Sequence, residues 1–279
     1  GRDAGVRLLD CSWSMPAEGR DLREEHRSLR IPGSRFFDID ECADRTARWP
    51  HMLPPAGVMQ AYARNLGVQP SSLVVVYDRC GNYFASARAW WMWKLFGHDD
   101  VRILHGGLGA YLAAGLPVER HPSEPAAAEP SEWAAARRDS LVASYADMVA
   151  NVSSQKWDVM DARGADRFRG EGVEREGVAH GHIANSKSLP YGKVLGDRLE
   201  CGGIPYSFFL SPADVQAAFT PVHKPGQRVC FTCGTGVSAA VLLAAFHHAG
   251  VPLEKMSLYD GSWTEFGTLS KGNSALIHQ

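Results

Sequence analysis

The chain has 279 residues, 45% hydrophobic and 22% charged, with a formal net charge of −2. That length suits two domains of ordinary size better than one core. The charge balance excludes a basic field for nucleic acid and an acidic disordered tail, and no apolar run approaches the roughly 18 residues of a bilayer span.

In chain order, the first apolar strand pattern is Val6-Arg-Leu-Leu-Asp10, close behind Gly1-Arg-Asp-Ala-Gly5. A loop with a strand-like edge follows at residues 29–34, then a strongly apolar strand at 73–78. That strand leads into an apolar helix at 84–96, dense in Ala and Trp, and a short strand at 101–107 ends on two glycines. The same markers recur in the same order about 150 residues later, a domain length rather than a solenoid period. They are Val159-Met160-Asp161, the loop at 181–186, the strand at 228–233, the Ala- and Leu-rich helix at 237–248 and a closing strand at 256–263. Strands alternating with helices predict an α/β fold, each half a mainly parallel sheet flanked by helices. The helices are apolar over most of their surface, so burial is expected. Between the halves, residues 121–130 carry the Pro, Ala and Glu content of an extended linker. The predicted organisation is a domain at 1–120, a linker at 121–139 and a domain at 140–279.

The segment that carries chemistry is Cys233-Gly234-Thr235-Gly236-Val237-Ser238, between a buried strand and a helix. Its glycines let consecutive N–H groups converge, and the helix start adds positive potential. A cysteine there is expected as the reactive thiolate. The aligned position in the first half is Asp78, followed by Arg79-Cys80-Gly81-Asn82, and a carboxylate cannot act as a sulfur nucleophile. The first half is therefore expected to be catalytically inactive.

On these residues the chain resembles the tandem-rhodanese sulfurtransferases, most of all those of the 3-mercaptopyruvate type. The matching stretches include Phe36-Phe-Asp-Ile-Asp40, His51-Met-Leu-Pro54, Ala87-Arg-Ala-Trp-Trp91, Asp161-Ala-Arg163 with Arg167-Phe168, Gly181-His-Ile183, the Cys233 loop and Tyr259-Asp-Gly-Ser-Trp263. The short helix that precedes the first strand in that family has no counterpart here. Thiosulfate-preferring members resemble Cys-Arg-Lys-Gly-Val, whereas mercaptopyruvate users resemble Cys-Gly-Ser-Gly-Val. The neutral Cys233-Gly-Thr-Gly-Val237 favours a monoanionic thiol donor over a dianion, by charge as well as by resemblance. The resemblance implies a proton relay of Asp40, His51 and Thr235, with Thr where Ser is usual. It implies Arg167 and Arg175 as carboxylate ligands. The segment from Arg169 to Arg175 is a residue short, so Arg169 is the alternative to Arg175. Arg163 is expected to be a solvated surface arginine. Tyr83 matches a substrate-facing tyrosine, with a core aromatic as the alternative. Gly234, Gly236, Val237 and Ser238 complete the substrate-binding loop. The implied donor is 3-mercaptopyruvate and the implied acceptor a thiol such as thioredoxin, with cyanide as an artificial acceptor. A monomer is expected, with no cofactor, no nucleic acid and no membrane.

Other readings are weaker. A phosphatase of the related fold has Cys-x5-Arg, but Ala239 stands sixth after Cys233. A redox-sensing module could use Cys230-Phe-Thr-Cys233, yet Cys230 falls within an apolar strand and reads as a core residue. Cys201, in Cys201-Gly-Gly203, is the expected exposed thiol. One C-x-x-C does not make a zinc site, and Gly106, Gly107 and Gly109 miss the dinucleotide spacing and read as a turn. The six cysteines are scattered, which suits a reducing compartment. A cytoplasmic location is the default expectation, with a processed mitochondrial protein as the alternative.

Overall fold

The computed structural model describes residues 5–120 and 131–279; the linker expectation at 121–130 lies outside the described residues. The first half forms β1 (Val6–Asp10), α1 (Leu22–Ser28), β2 (Leu29–Arg30), β3 (Arg35–Phe36), α2 (Ala56–Asn65), β4 (Leu73–Tyr77), α3 (Phe84–Leu95), β5 (Val101–Ile103), α4 (Gly107–Ala113) and β6 (Glu119–Arg120). The chain continues through β7 (Val142–Ala143), α5 (Tyr145–Ser154), β8 (Trp157–Asp161), α6 (Ala165–Phe168), β9 (His182–Ile183) and β10 (Lys187–Ser188). It ends with β11 (Leu199–Cys201), β12 (Ile204–Tyr206), α7 (Pro212–Phe219), β13 (Arg228–Thr232), α8 (Ser238–His248), β14 (Met256–Tyr259), α9 (Ser262–Leu269) and β15 (Ile277–His278).

Backbone packing divides the chain into two units. The first comprises Gly1–Arg45, Leu53–Arg137 and Asp197–Phe208; the second comprises Thr46–Met52, Arg138–Gly196 and Phe209–Gln279. The main sheet of the first unit has the order β3-β1-β4-β5, and that of the second β10-β8-β13-β14-β7. Every neighbouring pair in both is parallel. The four-strand order of the first sheet thus recurs in the second, which adds β7 at one edge, in keeping with the repeated sequence markers. Asp10 pairs with Tyr77 at the end of β1, and Asp161 with Thr232 at the end of β8. Loops leaving these carboxyl ends are where α/β sheets place their sites.

Parallel strands are covered on both faces, so their helices must be apolar. Trp90, Trp91 and Trp93 of α3 are buried, as is the whole run of α8 from Ala239 to Phe246. Smaller antiparallel pairs complete each unit: β2–β6 and β11–β12 in the first, β9–β15 in the second. Gly202 and Gly203, both at positive φ (58° and 78°), close the β11–β12 hairpin, the backbone that a two-residue primed turn needs.

Two closing strands differ from expectation. The first stops at Ile103 and the second at Tyr259, and each chain then turns into a helix, α4 or α9. The glycines read as a turn do make one, since Gly106 and Gly107 have φ of 81° and 56°. Gly107 must lack a side chain, because a Cβ there would lie 2.3 Å from the Asp78 carbonyl oxygen. Among the described residues, no helix is long and apolar enough to cross a membrane.

Candidate active site

Cys233 follows β13 directly and is 1% exposed. Gly236 has φ 77°, which an L side chain rarely adopts, and Val237 takes helical angles just before α8 opens at Ser238. The loop therefore turns sharply from strand to helix. Its carbonyls are clamped by the first turn of α9. Trp263 N–H donates to the Cys233 carbonyl (2.9 Å), and Thr264 N–H (3.0 Å) and Oγ1 (2.7 Å) both donate to that of Gly234. Helix starts carry N–H groups without intrahelical partners, and here the loop satisfies two of them. With the carbonyls turned toward α9, the amides of Gly234, Thr235 and Val237 have no hydrogen-bond acceptor among the described residues. They are available donors in a curled loop at a helix start, which is how anions are held.

The Cys233 N–H is fixed separately. It donates to Ser262 Oγ (3.1 Å), which itself donates to the Tyr259 carbonyl (2.8 Å). Ser262 is fully buried with φ 50°. A non-glycine residue held there is strained, and such outliers cluster at functional positions. Sequence reasoning passed over Ser262, although it lies in the quoted Tyr259–Trp263 stretch.

Arg167, on α6, reaches the same loop. A Cβ placed on Gly234 would lie 3.5 Å from both terminal guanidinium nitrogens and 4.0 Å from the central carbon. The guanidinium thus presents its forked end to Gly234. Its other edge is taken by Glu174, which accepts from Nε (3.0 Å) and Nη2 (2.7 Å). Burial works against the Arg167 charge. The Glu174 hydrogen bond and charge outweigh it, helped by Cys233 and Asp161, so the pKa stands above the ordinary arginine value.

Arg163 corrects the sequence expectation: it is not a solvated surface arginine but 3% exposed. It donates to Asp161 through Nε and Nη2, to Glu174 (2.9 Å) and to the Gly181 carbonyl (2.8 Å). Its guanidinium also lies 4.6 Å from the Trp263 ring centre. A buried cation persists only with such partners. Glu174 was also missed. Its segment is irregular and has no hydrophobic period, and only the glycines hint at a tight path: a Cβ on Gly172 would meet Arg167 Cγ at 2.6 Å.

The remaining predicted residues are placed as follows. Arg175 is exposed and makes no side-chain hydrogen bond or ion pair among the described residues. Arg169 is exposed and paired with Glu171 at 2.7 Å. Thr235 is partly buried within the loop. His51, partly buried with φ 61°, sits in the Thr46–Met52 segment of the second unit, the unit that holds Cys233 and Thr235. Trp49 fastens that segment to α9 by donating to Glu265 Oε1 (3.1 Å). Asp40 belongs to the first unit, is exposed, and accepts from Trp13 Nε1 (2.8 Å). Tyr83 is 3% exposed; its hydroxyl donates to the Ser207 carbonyl (2.9 Å) and accepts from Gly106 N–H (2.7 Å), contacts within the first unit that suit a core aromatic. Cys230 is fully buried against Met148, and burial pushes its thiol up to about 12. Cys201 is partly exposed, but so is Cys80. Among the described residues, no group of three or more His, Cys, Asp or Glu could hold a metal.

Cys233 is thus a buried thiol on a strand-to-helix loop, with the Glu174-paired guanidinium of Arg167 against Gly234 of the same loop. The chain belongs to the rhodanese family: the rhodanese-like domain model matches residues 3–114 and 144–268. Human 3-mercaptopyruvate sulfurtransferase is 37% identical over 267 residues, covering 94% of this chain and 84% of the relative. Chicken thiosulfate sulfurtransferase is 35% identical over 268 residues, covering 94% and 86%. Among solved structures, the 3-mercaptopyruvate sulfotransferase SseA from Escherichia coli superimposes with a TM-score of 0.80 at 30% identity, over 92% of each chain. The chain is a sulfurtransferase.

Proposed function

We propose that the chain transfers sulfur from 3-mercaptopyruvate to a thiol acceptor through a persulfide on Cys233. The chemistry is assigned to the C-terminal domain, 140–279, and a non-catalytic role to the N-terminal domain, 1–120, with 121–139 as linker. Arg167 takes the donor carboxylate end-on, with Arg175, exposed beside Glu174, as the second contact. The Asp40, His51 and Thr235 relay removes the donor thiol proton. The Cys233 thiolate attacks the donor sulfur, and an S–S bond forms. The C–S bond breaks, its electron pair passes to carbon, and pyruvate leaves as the enolate. The outer sulfur of the persulfide rests against the loop amides. An acceptor thiol such as that of thioredoxin then takes it as a persulfide, and a second acceptor thiol attacks that persulfide, releasing hydrogen sulfide and leaving the acceptor as a disulfide.

The observation that carries this reading is the forked end of Arg167 facing Gly234, beside a loop with no charge of its own. A planar guanidinium fork suits a carboxylate. A neutral loop adds no cation of its own for a dianion. The test is mass spectrometry after incubation with 3-mercaptopyruvate. The Cys233 peptide gains the mass of one sulfur, and Cys233→Ser forms no pyruvate. Pyruvate production by that variant at the parental rate overturns the scheme. Because the chain also resembles thiosulfate sulfurtransferases, kcat/KM for both donors is compared, and a clear thiosulfate preference replaces the donor assigned here.

A further inference from the structure

We infer that Glu174 is a positioning and specificity-determining residue: it aims the Arg167 fork at Gly234 and cancels the charge that would otherwise admit dianionic donors. The inference rests on the proposed carboxylate-binding role of Arg167. Glu174 is the common partner of two arginines, with its side chain 2% exposed against 1% for Arg163 and 33% for Arg167. The Arg163 end is held by Asp161, the Gly181 carbonyl and the Trp263 ring. Trp263 in turn holds the Cys233 carbonyl. Glu174 therefore links the residues beneath the Cys233 loop to the partly exposed Arg167. Two parallel hydrogen bonds leave the guanidinium no rotational freedom in its plane, and the forked end can only point toward Gly234.

The same geometry sets the charge. Two guanidiniums, Arg163 and Arg167, face two carboxylates, Asp161 and Glu174, so the group is formally neutral. A monoanionic donor needs one good fork and gains it from orientation. A dianion needs excess positive charge, and Glu174 withholds it. Specificity of this kind comes from a repulsive element as much as an attractive one.

The experiment compares Glu174→Gln and Glu174→Asp with the parent, using 3-mercaptopyruvate and thiosulfate as donors and cyanide as acceptor. Glu174→Gln keeps the shape and adds one net positive charge. It is expected to lower kcat for 3-mercaptopyruvate without raising KM, and to raise the ratio of kcat/KM for thiosulfate to that for 3-mercaptopyruvate about tenfold. Glu174→Asp keeps the charge but shortens the reach to two arginines. It should lower kcat with both donors and leave the ratio where it was. An unchanged ratio in Glu174→Gln overturns the charge role. Parental kcat in Glu174→Asp overturns the positioning role, and this variant serves alone if Glu174→Gln does not fold. If the parent itself forms no Cys233 persulfide from either donor, the functional reading fails instead.

Discussion

Ser262 shows how much one residue can be asked to carry. Its counterpart in the first unit is Gly107, which follows the closing strand in the same way, and the two have nearly the same φ, 50° and 56°. The next amide, Trp263 N–H or Leu108 N–H, donates to the carbonyl of Cys233 or Asp78 at 2.9 Å in each case. The positive φ and the carbonyl bond that follows it are thus common to both units, although the preceding glycine differs, Gly106 at φ 81° and Gly261 at −64°. Glycine takes that positive φ without strain in the first, and serine takes it at a cost in the second. The added hydroxyl supplies the acceptor for Cys233 N–H. Ser262→Ala should lose that acceptor and keep the strain, whereas Ser262→Gly loses the acceptor and relieves the strain. Glycine is therefore expected to be the more stable of the two by about 1 kcal/mol, read as the difference in urea midpoint, with both variants below the parent in kcat. Cys233 was legible at this scale because strand, glycines and helix surround it in order. Glu174 and Arg163 were not, because a buried ion pair in an irregular segment looks the same in sequence as a solvated one.

Among the elements, the long apolar pieces were read well, and their ends were not. The helix expected at 84–96 is α3, and the one expected at 237–248 is α8, because continuous burial needs continuous apolar sequence. The strands expected at 101–107 and 256–263 overran, since the turn into a helix is set by close contacts that no local pattern records. The exit of β1 carries a prediction of its own. Asp10 is wholly buried and bonded to His26 Nδ1 (3.0 Å), Arg79 Nη2 (3.1 Å) and Ser12 N–H (3.0 Å). Burial alone would raise its pKa, but His26, Arg79 and Ser12 together hold it below the usual carboxylate value. A depressed pKa stabilises the fold above the unfolded value near 3.9 and ceases to do so as pH falls through the folded value. Asp10→Asn should cost about 3 kcal/mol at pH 7. The gap from the parent should narrow steadily in urea melts taken below about pH 4.

For the whole molecule, the repeated plan poses the question of why the proposed chemistry is assigned to one copy alone. Four strands have the same order in both main sheets, and both loops leave the carboxyl end of the corresponding strand. The residue at the nucleophile position is only part of the difference. In the first unit the Asp78 carboxylate accepts from Ser86 N–H (3.3 Å) and Oγ (2.6 Å) in the first turn of α3, so the anion place at that helix start is already filled from within. Burial outweighs these bonds and raises the Asp78 pKa. The neighbouring Arg79 is no substitute for Arg167. It is 3% exposed and turned inward onto Asp10 and the Leu29 carbonyl, leaving no fork for a donor. Restoring the thiol alone should therefore restore nothing. The double variant Asp78→Cys with Cys233→Ser is expected to form no pyruvate above the Cys233→Ser background, and its residue-78 peptide should gain no sulfur on exposure to 3-mercaptopyruvate. Turnover from the transplanted cysteine would mean that a strand-to-helix loop suffices by itself. The anchored arginine and the clamped carbonyls of the second unit would then be dispensable.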